Sequence, residues 1–497
     1  MNKQSVKALL AAGLLAVGMV AAGPAWAARD DIVMGVVLEP PHLDPTGGAA
    51  AAIDEVVYAN IFEGLTRIDR DGSVKPALAQ SWSISDDGLT YSFSLHEGVS
   101  FHDGSAMDSA DVVFSFERAL AEDSTNAQKG LFEPIDSIEA PDAATVVITL
   151  KRPTGHFLFN LGWGDAVIVA PESAETNAAE PVGTGPFVFG RWVKGDRIEL
   201  AANESYWGEA VALKKATFKI IPDPAAAVAA LLAGDIDAFA NLPAPESLGQ
   251  FEADPRFEVV VGSTEGETIL AINNGRAPFD DLKVRQALAH AIDRKAIVDG
   301  AMFGYGTPIG SHFAPHHPAY LDLTGRYGHD PEKAKALLAE AGQAEGLKLS
   351  LKLPPPSYAR RGGEIIAAQL AEVGIEAELI PVEWAQWLEQ VFKGRDYDLT
   401  IVSHTEPMDI GIYARDDYYF DYKSADFAAI MAKLDGAADP DLRNSLLGEA
   451  QTRLAEDSVN GFLFQLAKHG VWSAKLDGLW ENSPVQANDL TEVRWAE

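Results

Sequence analysis

The chain has no cysteine among its 497 residues, which removes disulfide frameworks, thiolate zinc sites, iron–sulfur clusters and cysteine nucleophiles together. Stability has to come from a packed core. A composition that is 47% apolar can supply one, in a chain long enough to divide into two or three lobes. Positive charge is scarce as well: 39 Lys and Arg stand against 73 Asp and Glu, a net charge of −34. Nucleic acid and anionic lipid repel such a surface, so neither is expected as a partner, and the acidity reads first as a device for solubility.

Catalytic signatures are missing too. There is no His-Glu-x-x-His, no Gly-x-Ser-x-Gly elbow and no Gly-x4-Gly-Lys-Ser/Thr phosphate cradle. Gly304, Gly306 and Gly310 have the wrong spacing for a dinucleotide loop, and Pro308 would break the helix that must begin there. Asp71-Gly72 and Asp87-Gly88 lack the ligand series of a calcium loop and read as turns. A hydrolase or transferase would need a nucleophile–base pair, and the sequence offers none. The expectation is a protein without enzymatic activity, cofactor or resident metal.

Long apolar runs are also lacking after the first 27 residues. That opening stretch has Lys3 and Lys7, an apolar run of about 15 residues from Ala8 to Ala22, and Ala25-Trp26-Ala27 as an Ala-x-Ala cleavage pattern. A membrane-spanning helix needs about 20 apolar residues, so residues 1–27 are expected to be a signal peptide cut after Ala27. Removing the two lysines takes the net charge from −34 to −36. Without an arginine pair or an N-terminal cysteine, the expected product is soluble, periplasmic, free of a lipid anchor and not inserted in the membrane.

What is present alternates between strand and helix, the pattern of an α/β protein. Asp30 to Leu38 reads as a strand and Ile53 to Ile61 as a helix. Asp71-Gly72, Asp86-Asp87-Gly88, Gly98 and Asp103-Gly104 punctuate a small antiparallel region around the alternating Leu89–Leu95. Ser109 to Leu120 has helical spacing of Val112, Val113, Phe116 and Leu120. Pro224 opens a helix through Ala233 that Gly234 closes. From about Asn273 the texture changes to longer helices, Asp281 to Gly300, Asp330 to Ala341 and Gly363 to Val373, which suggests a boundary near 273. His312, His316 and His317 lie close together among prolines, and His316-His317 reads as a surface loop.

Several long segments resemble the family 5 extracellular solute-binding proteins. They include Leu43-Asp44-Pro45, Ile61-Phe62-Glu63-Gly64-Leu65, Pro76–Trp82, Ser85–Tyr91 and Gly98–Gly104. Further on come Ala110–Ser115, Gly183-Thr184-Gly185-Pro186-Phe187, Asn203-x-x-Tyr206-Trp207, Ala230–Asp237 and Val284–Leu288. The resemblance covers essentially the whole mature length. It implies a periplasmic-binding-protein type II-like α/β fold of two lobes with a hinge plus a third lobe. The lobes would be 28–65, 183–273 and 470–497 for lobe I, 66–182 for lobe II and 274–469 for lobe III. It also implies a receptor that takes a peptide or other small molecule to the membrane permease of an ABC importer and works as a monomer.

The same resemblance puts the ligand against Glu39-Pro40-Pro41-His42 in lobe I and Ser403-His404-Thr405-Glu406-Pro407-Met408-Asp409 in lobe III. Peptide-binding members carry an aspartate, paired with the ligand's α-amino group, where this chain has Ser403. A hydroxyl cannot neutralise an ammonium, and a buried unpaired charge is costly. Three ligand classes stay open: a peptide-like molecule whose amine meets Glu406 or Asp409, a neutral polyol or sugar-like compound, and a metal chelate touching His404. Trp163 and Trp384 are candidate aromatic walls, and Arg415 could pair with a ligand carboxylate.

Overall fold

The structure is a computed structural model that describes residues 29–48, 50–406, 408–437 and 439–496. The expected signal peptide lies outside the described residues. No helix among those described is long and apolar enough to cross a membrane.

One eleven-stranded mixed sheet organises most of the chain. From one edge to the other ten of its strands run Ile375–Pro381, Leu347–Leu353, Leu399–His404, Phe257–Ile272, Asn460–Ser473, Ala238–Phe239, Asp31–Val36, Lys215–Ile220, Arg197–Ala202 and Phe187–Val193, and the eleventh, Thr307–Pro308, pairs with Asn460–Ser473 off this path. The two central strands, Phe257–Ile272 and Asn460–Ser473, have 16 and 14 residues, far above the usual five or six. They pair antiparallel from Phe257 with Ser473 to Ser263 with Ala467, lose register, and resume at Glu267 with Gln465. Their neighbours change at that break. Val471 and Trp472 pair with Ala238–Phe239 on one side, whereas Glu267–Ile272 pair with Leu399–His404 on the other. The result is two half-sheets joined by two continuous strands that share a bulge at 264–266.

Each half-sheet has its own core. Phe62, Phe187, Phe218 and Leu490 pack on the first, and Leu288, Leu351, Ile366 and Leu399 on the second. Residues between the first strand and Phe187 form a separate four-stranded antiparallel sheet, Ala79–Ile84, Thr90–Leu95, Thr145–Leu150 and Ile135–Asp142. Val146, Ile148 and Leu150 alternate inward as a period of two requires. The helix Ser109–Leu120 covers this sheet, and Asp108 caps it through the Ala110 N–H, with Asp111 returning a bond to the Asp108 N–H.

The motifs shared with the family largely build these joints. A Cβ on Gly183 would lie 2.0 Å from the Ile61 carbonyl oxygen, and one on Gly185 2.5 Å from that of Asn60, so both positions need glycine for close approach. His102 Nε2 donates to the Gly185 carbonyl at 2.9 Å and Nδ1 accepts from the Gly183 N–H at 3.3 Å, the pattern of a neutral ring. Partly buried Glu63 accepts from Thr184 Oγ1, Tyr206 OH and Trp207 Nε1 at 2.8, 2.8 and 2.9 Å. Asp44 accepts from the Thr46 N–H and pairs with Arg118 at 3.2 Å.

One local reading differs from what forms. The helix expected over Asp281 to Gly300 is two helices, Leu282–Ala291 and Arg294–Ala301, because Asp293 turns its carboxylate to the Ala296 N–H and starts a new one. His316-His317 lies in a loop, with His316 exposed and His317 stacked on Phe313 at 4.2 Å between ring centroids, while nearby His312 is buried.

Candidate ligand-binding site

Between the half-sheets lies a cleft of about 630 Å³. One wall carries Val36–Leu38, Asn241 and Lys468, and the other Pro355–Tyr358, Arg360, Trp384 and Thr405. Both central strands pass through its floor, which includes Thr264 and Leu466 beside the bulge. Lys468 is 2% exposed and its Nζ donates to the Trp480 carbonyl at 2.5 Å. Burial lowers this ammonium to about 8.

The strand Leu399–His404 ends beside this cleft, which Thr405 lines. Ser403 donates its N–H to Tyr358 OH at 3.3 Å, while its Oγ is buried without a partner. His404 is held by Tyr419 OH at 2.9 Å from Nε2, and burial pushes its imidazole towards the neutral form. That leaves Nδ1 3.9 Å from Asp409. Donor atoms of His404, Glu406 and Asp409 lie within 4.8 Å of one another, a spacing that would admit a metal ion. Asp409, however, already meets His312 Nε2 at 3.1 Å, and His312 Nδ1 meets Glu267 at 2.9 Å. Burial opposes charge on His312, but Glu267 and Asp409 outweigh it and raise the imidazole to about 10. A second pair of the same kind, His316 Nε2 with Glu265 at 2.5 Å, engages the bulge itself.

Four further carboxyls line or adjoin this region without a basic partner. Asp54 and Glu55 come from the helix Ala51–Val57, Asp165 from the turn Gly164–Ala166, and Glu406 from the segment after His404. The Asp54 carboxylate presses on Gly164 so closely that a Cβ there would lie 2.4 Å from its Oδ1. Burial raises all four, Glu55 to about 7 by burial alone, and acidic neighbours add to it at the other three: Asp54, at about 8, beside Glu55, Asp165 beside Asp54 and Glu406, and Glu406 beside Asp409.

Of the expected site residues, Trp384 and Thr405 line the cleft, Ser403, His404 and Glu406 flank Thr405 in the chain, and Asp409 lies 3.9 Å from His404. Trp163 packs against Phe159, in a cluster with Trp480 and with Ala487, which lines the cleft. Glu39 and His42 sit elsewhere. Glu39 accepts from Trp192 Nε1 and the Gly195 N–H at 3.0 and 2.8 Å, and His42 packs on Gly47 and Gly48. Arg415 pairs with Asp417 at 3.2 Å and lies over Tyr418 on an exposed face. Sequence reasoning did not single out Asp54, Glu55, Asp165, His312 or Lys468 as site residues. The available signals were two adjacent acids in an otherwise apolar helix and an aspartate two residues beyond Trp163.

Comparison with known proteins gives this geometry a context. Residues 73–425 match the family model of the bacterial extracellular solute-binding proteins, family 5 Middle. The chain belongs to family 5. The family includes heme-binding protein A of Haemophilus influenzae, 35% identical over 352 residues that make up 65% of this chain and 64% of that relative, just under two thirds of its length. Glutathione-binding protein GsiB of Pectobacterium atrosepticum is 33% identical over 393 residues, 77% of this chain and 74% of the relative. Among solved structures, the periplasmic binding protein DppA from Helicobacter pylori in complex with the peptide STSA superposes with a TM-score of 0.86 at 26% identity. That match covers 95% of this chain and 99% of the other. The fold is that of a type II periplasmic binding protein, as the two half-sheets joined by long strands require.

Proposed function

We propose that this family 5 protein is a periplasmic receptor, working as a monomer, that encloses a peptide or peptide-like small molecule between lobes I and III. It then delivers the ligand to the permease of an ABC importer. The cleft carries this reading: about 630 Å³ falls in the size range of small-molecule sites and is walled by both half-sheets. Two continuous strands under the cleft give it a hinge, so that ligand contacts made only in the closed form shift the population towards it. We take the bulge at 264–266 as the point where lobe I passes into lobe III, and residues 66–182 as lobe II.

Secretion through the leader at 1–27 would put the receptor in the periplasm. Protein purified from its own periplasm is expected to carry a small-molecule mass in native mass spectrometry that denaturation releases. A protein that carries none, and whose melting temperature responds to no member of a di- and tripeptide library, would refute the receptor reading.

A further inference from the structure

We infer that Arg443 is a clasp that holds the region 66–182 against the second half-sheet and sets how far the cleft stands open before any ligand enters. The inference rests on the hinge reading above and adds a device outside the binding cleft. Arg443 sits in the first turn of the helix Pro440–Glu456. Its Nη2 donates to His156 Nδ1 at 2.9 Å, and the guanidinium lies along Gly155, where a Cβ would stand 3.5 Å from Arg443 Cδ and Nε. Arg152, in the same segment, comes to 4.0 Å from Asp435 at the end of the helix Ala425–Asp435. Among the described residues these are the side-chain hydrogen bond and the ion pair that join 66–182 to 274–469.

The two ends of this contact are fastened separately. On one side Arg67 pairs with Asp489, Arg118 with Asp44, and His102 with the main chain at Gly183 and Gly185, so residues 66–182 travel with the first half-sheet. On the other, Leu446, Leu447, Ala450 and Leu454 of Arg443's helix pack with Val402 and Phe462 of the second half-sheet. A bend at the bulge 264–266 therefore pulls Arg443 away from His156. The chemistry suits a contact that must break. Among the described residues Arg443 forms no ion pair, and its one side-chain hydrogen bond goes to a neutral ring. Burial, then the charges of Arg443 and Arg152, push the His156 imidazole down to about 4, so near neutral pH Nδ1 keeps its lone pair and accepts. A carboxylate in its place would grip the guanidinium with two bonds. The imidazole offers one, enough to shift a closed-to-open ratio about ten- to a hundredfold. A cation in the first helical turn gains nothing from the helix dipole, so the helix itself supplies no reason for an arginine there. Neither Arg443 nor His156 lines the cleft. The clasp acts on binding through the fraction of closed molecules, which scales the apparent affinity for whatever the cleft takes.

Because the chain has no cysteine, two introduced cysteines carry the only spin labels. Glu139→Cys on the strand Ile135–Asp142 and Glu449→Cys on Arg443's helix are both at exposed positions. Double electron–electron resonance then measures their separation in protein stripped of ligand by unfolding and refolding. Labelled protein with Arg443 and His156 intact is expected to show mainly one short separation. Arg443→Ala and His156→Ala should each add a longer one and lower the short-to-long ratio about ten- to a hundredfold, and the double variant should open no further than either alone. Intact protein already at the longer separation, distributions that neither variant changes, or additive effects overturn the clasp. A residue that only steadied its helix would lower the melting temperature and leave the separation as it was, and that result overturns it as well. No ligand enters this measurement. An unmoved separation therefore leaves the receptor reading to the native mass spectrum, whereas a working clasp in a protein that carries no ligand sinks the receptor reading alone.

Discussion

Replacing His312 by alanine removes the imidazolium that faces buried Glu267 and partly buried Asp409. The imidazole lies 2.9 Å from Glu267 and 3.1 Å from Asp409, and Glu267 and His312 are 3% and 2% exposed. Breaking such a pair from one side leaves an uncompensated buried charge and costs about 3–5 kcal/mol, so a loss near 4 kcal/mol is expected at pH 7. The variant can relieve the strain only by protonating Glu267. Against an ordinary carboxyl near 4.5, that costs about 1.4 kcal/mol per pH unit, roughly 3.4 kcal/mol at pH 7 and 0.7 at pH 5. Wild type gains less on the same change. Its histidine is raised to about 10 in the folded state from 6.5, so its contribution is complete below about 6.5 and is lost as pH rises through 10. Between pH 7 and 5 wild type therefore gains only about 0.8 kcal/mol from this group. The deficit of His312→Ala should shrink by about 2 kcal/mol on going to pH 5. Urea unfolding followed by tryptophan fluorescence measures it at both pH values. A deficit below about 1 kcal/mol at pH 7, or one that grows on acidification, would refute the reasoning.

Other consequences can be checked in the same preparations. Gly183→Ala puts a Cβ about 2.0 Å from the Ile61 carbonyl, so its melting temperature should fall by several degrees, corresponding to a loss of about 1–3 kcal/mol or more. Glu63→Ala strands Thr184, Tyr206 and Trp207 and should cost about 2–4 kcal/mol in urea unfolding; a neutral result would mean that water replaces the carboxylate. Arg361, on the helix Ser357–Glu372, reaches Glu246 at 3.2 Å. Because both are partly exposed the pair is worth about 0.2–1 kcal/mol, so Arg361→Ala should raise the radius of gyration of unliganded protein in X-ray scattering and leave its melting temperature nearly unchanged.

The elements that could be read in advance carry their own start and stop signals. Ser109–Leu120 and Pro224–Ala233 have an aspartate before the first turn, and the second has proline inside and glycine after. Asp281 to Gly300 misled because Asp293-Arg294-Lys295 fits the polar face of a continuous helix; only the folded chain shows Asp293 turned back as a cap. The site was legible only on its lobe III side, where Ser403 to Asp409 are neighbours in sequence. Glu39 lay beside a conspicuous motif, yet the hairpin at Trp192 and Gly195 claims its carboxylate. Asp54 and Asp165 gain meaning only from each other, across a contact at Gly164 that no local pattern announces.

The two strands that run unbroken through both half-sheets set how the molecule ages in service. A bulge can bend by changing local twist while the flanking ladder stays paired, so opening and closing need not release an unpaired backbone segment. Proteases cut chain that is locally extended and free, and a hinge of two hydrogen-bonded strands offers them none in either state. A protein that bends at this bulge can therefore move without exposing a cleavage site at the place where it moves.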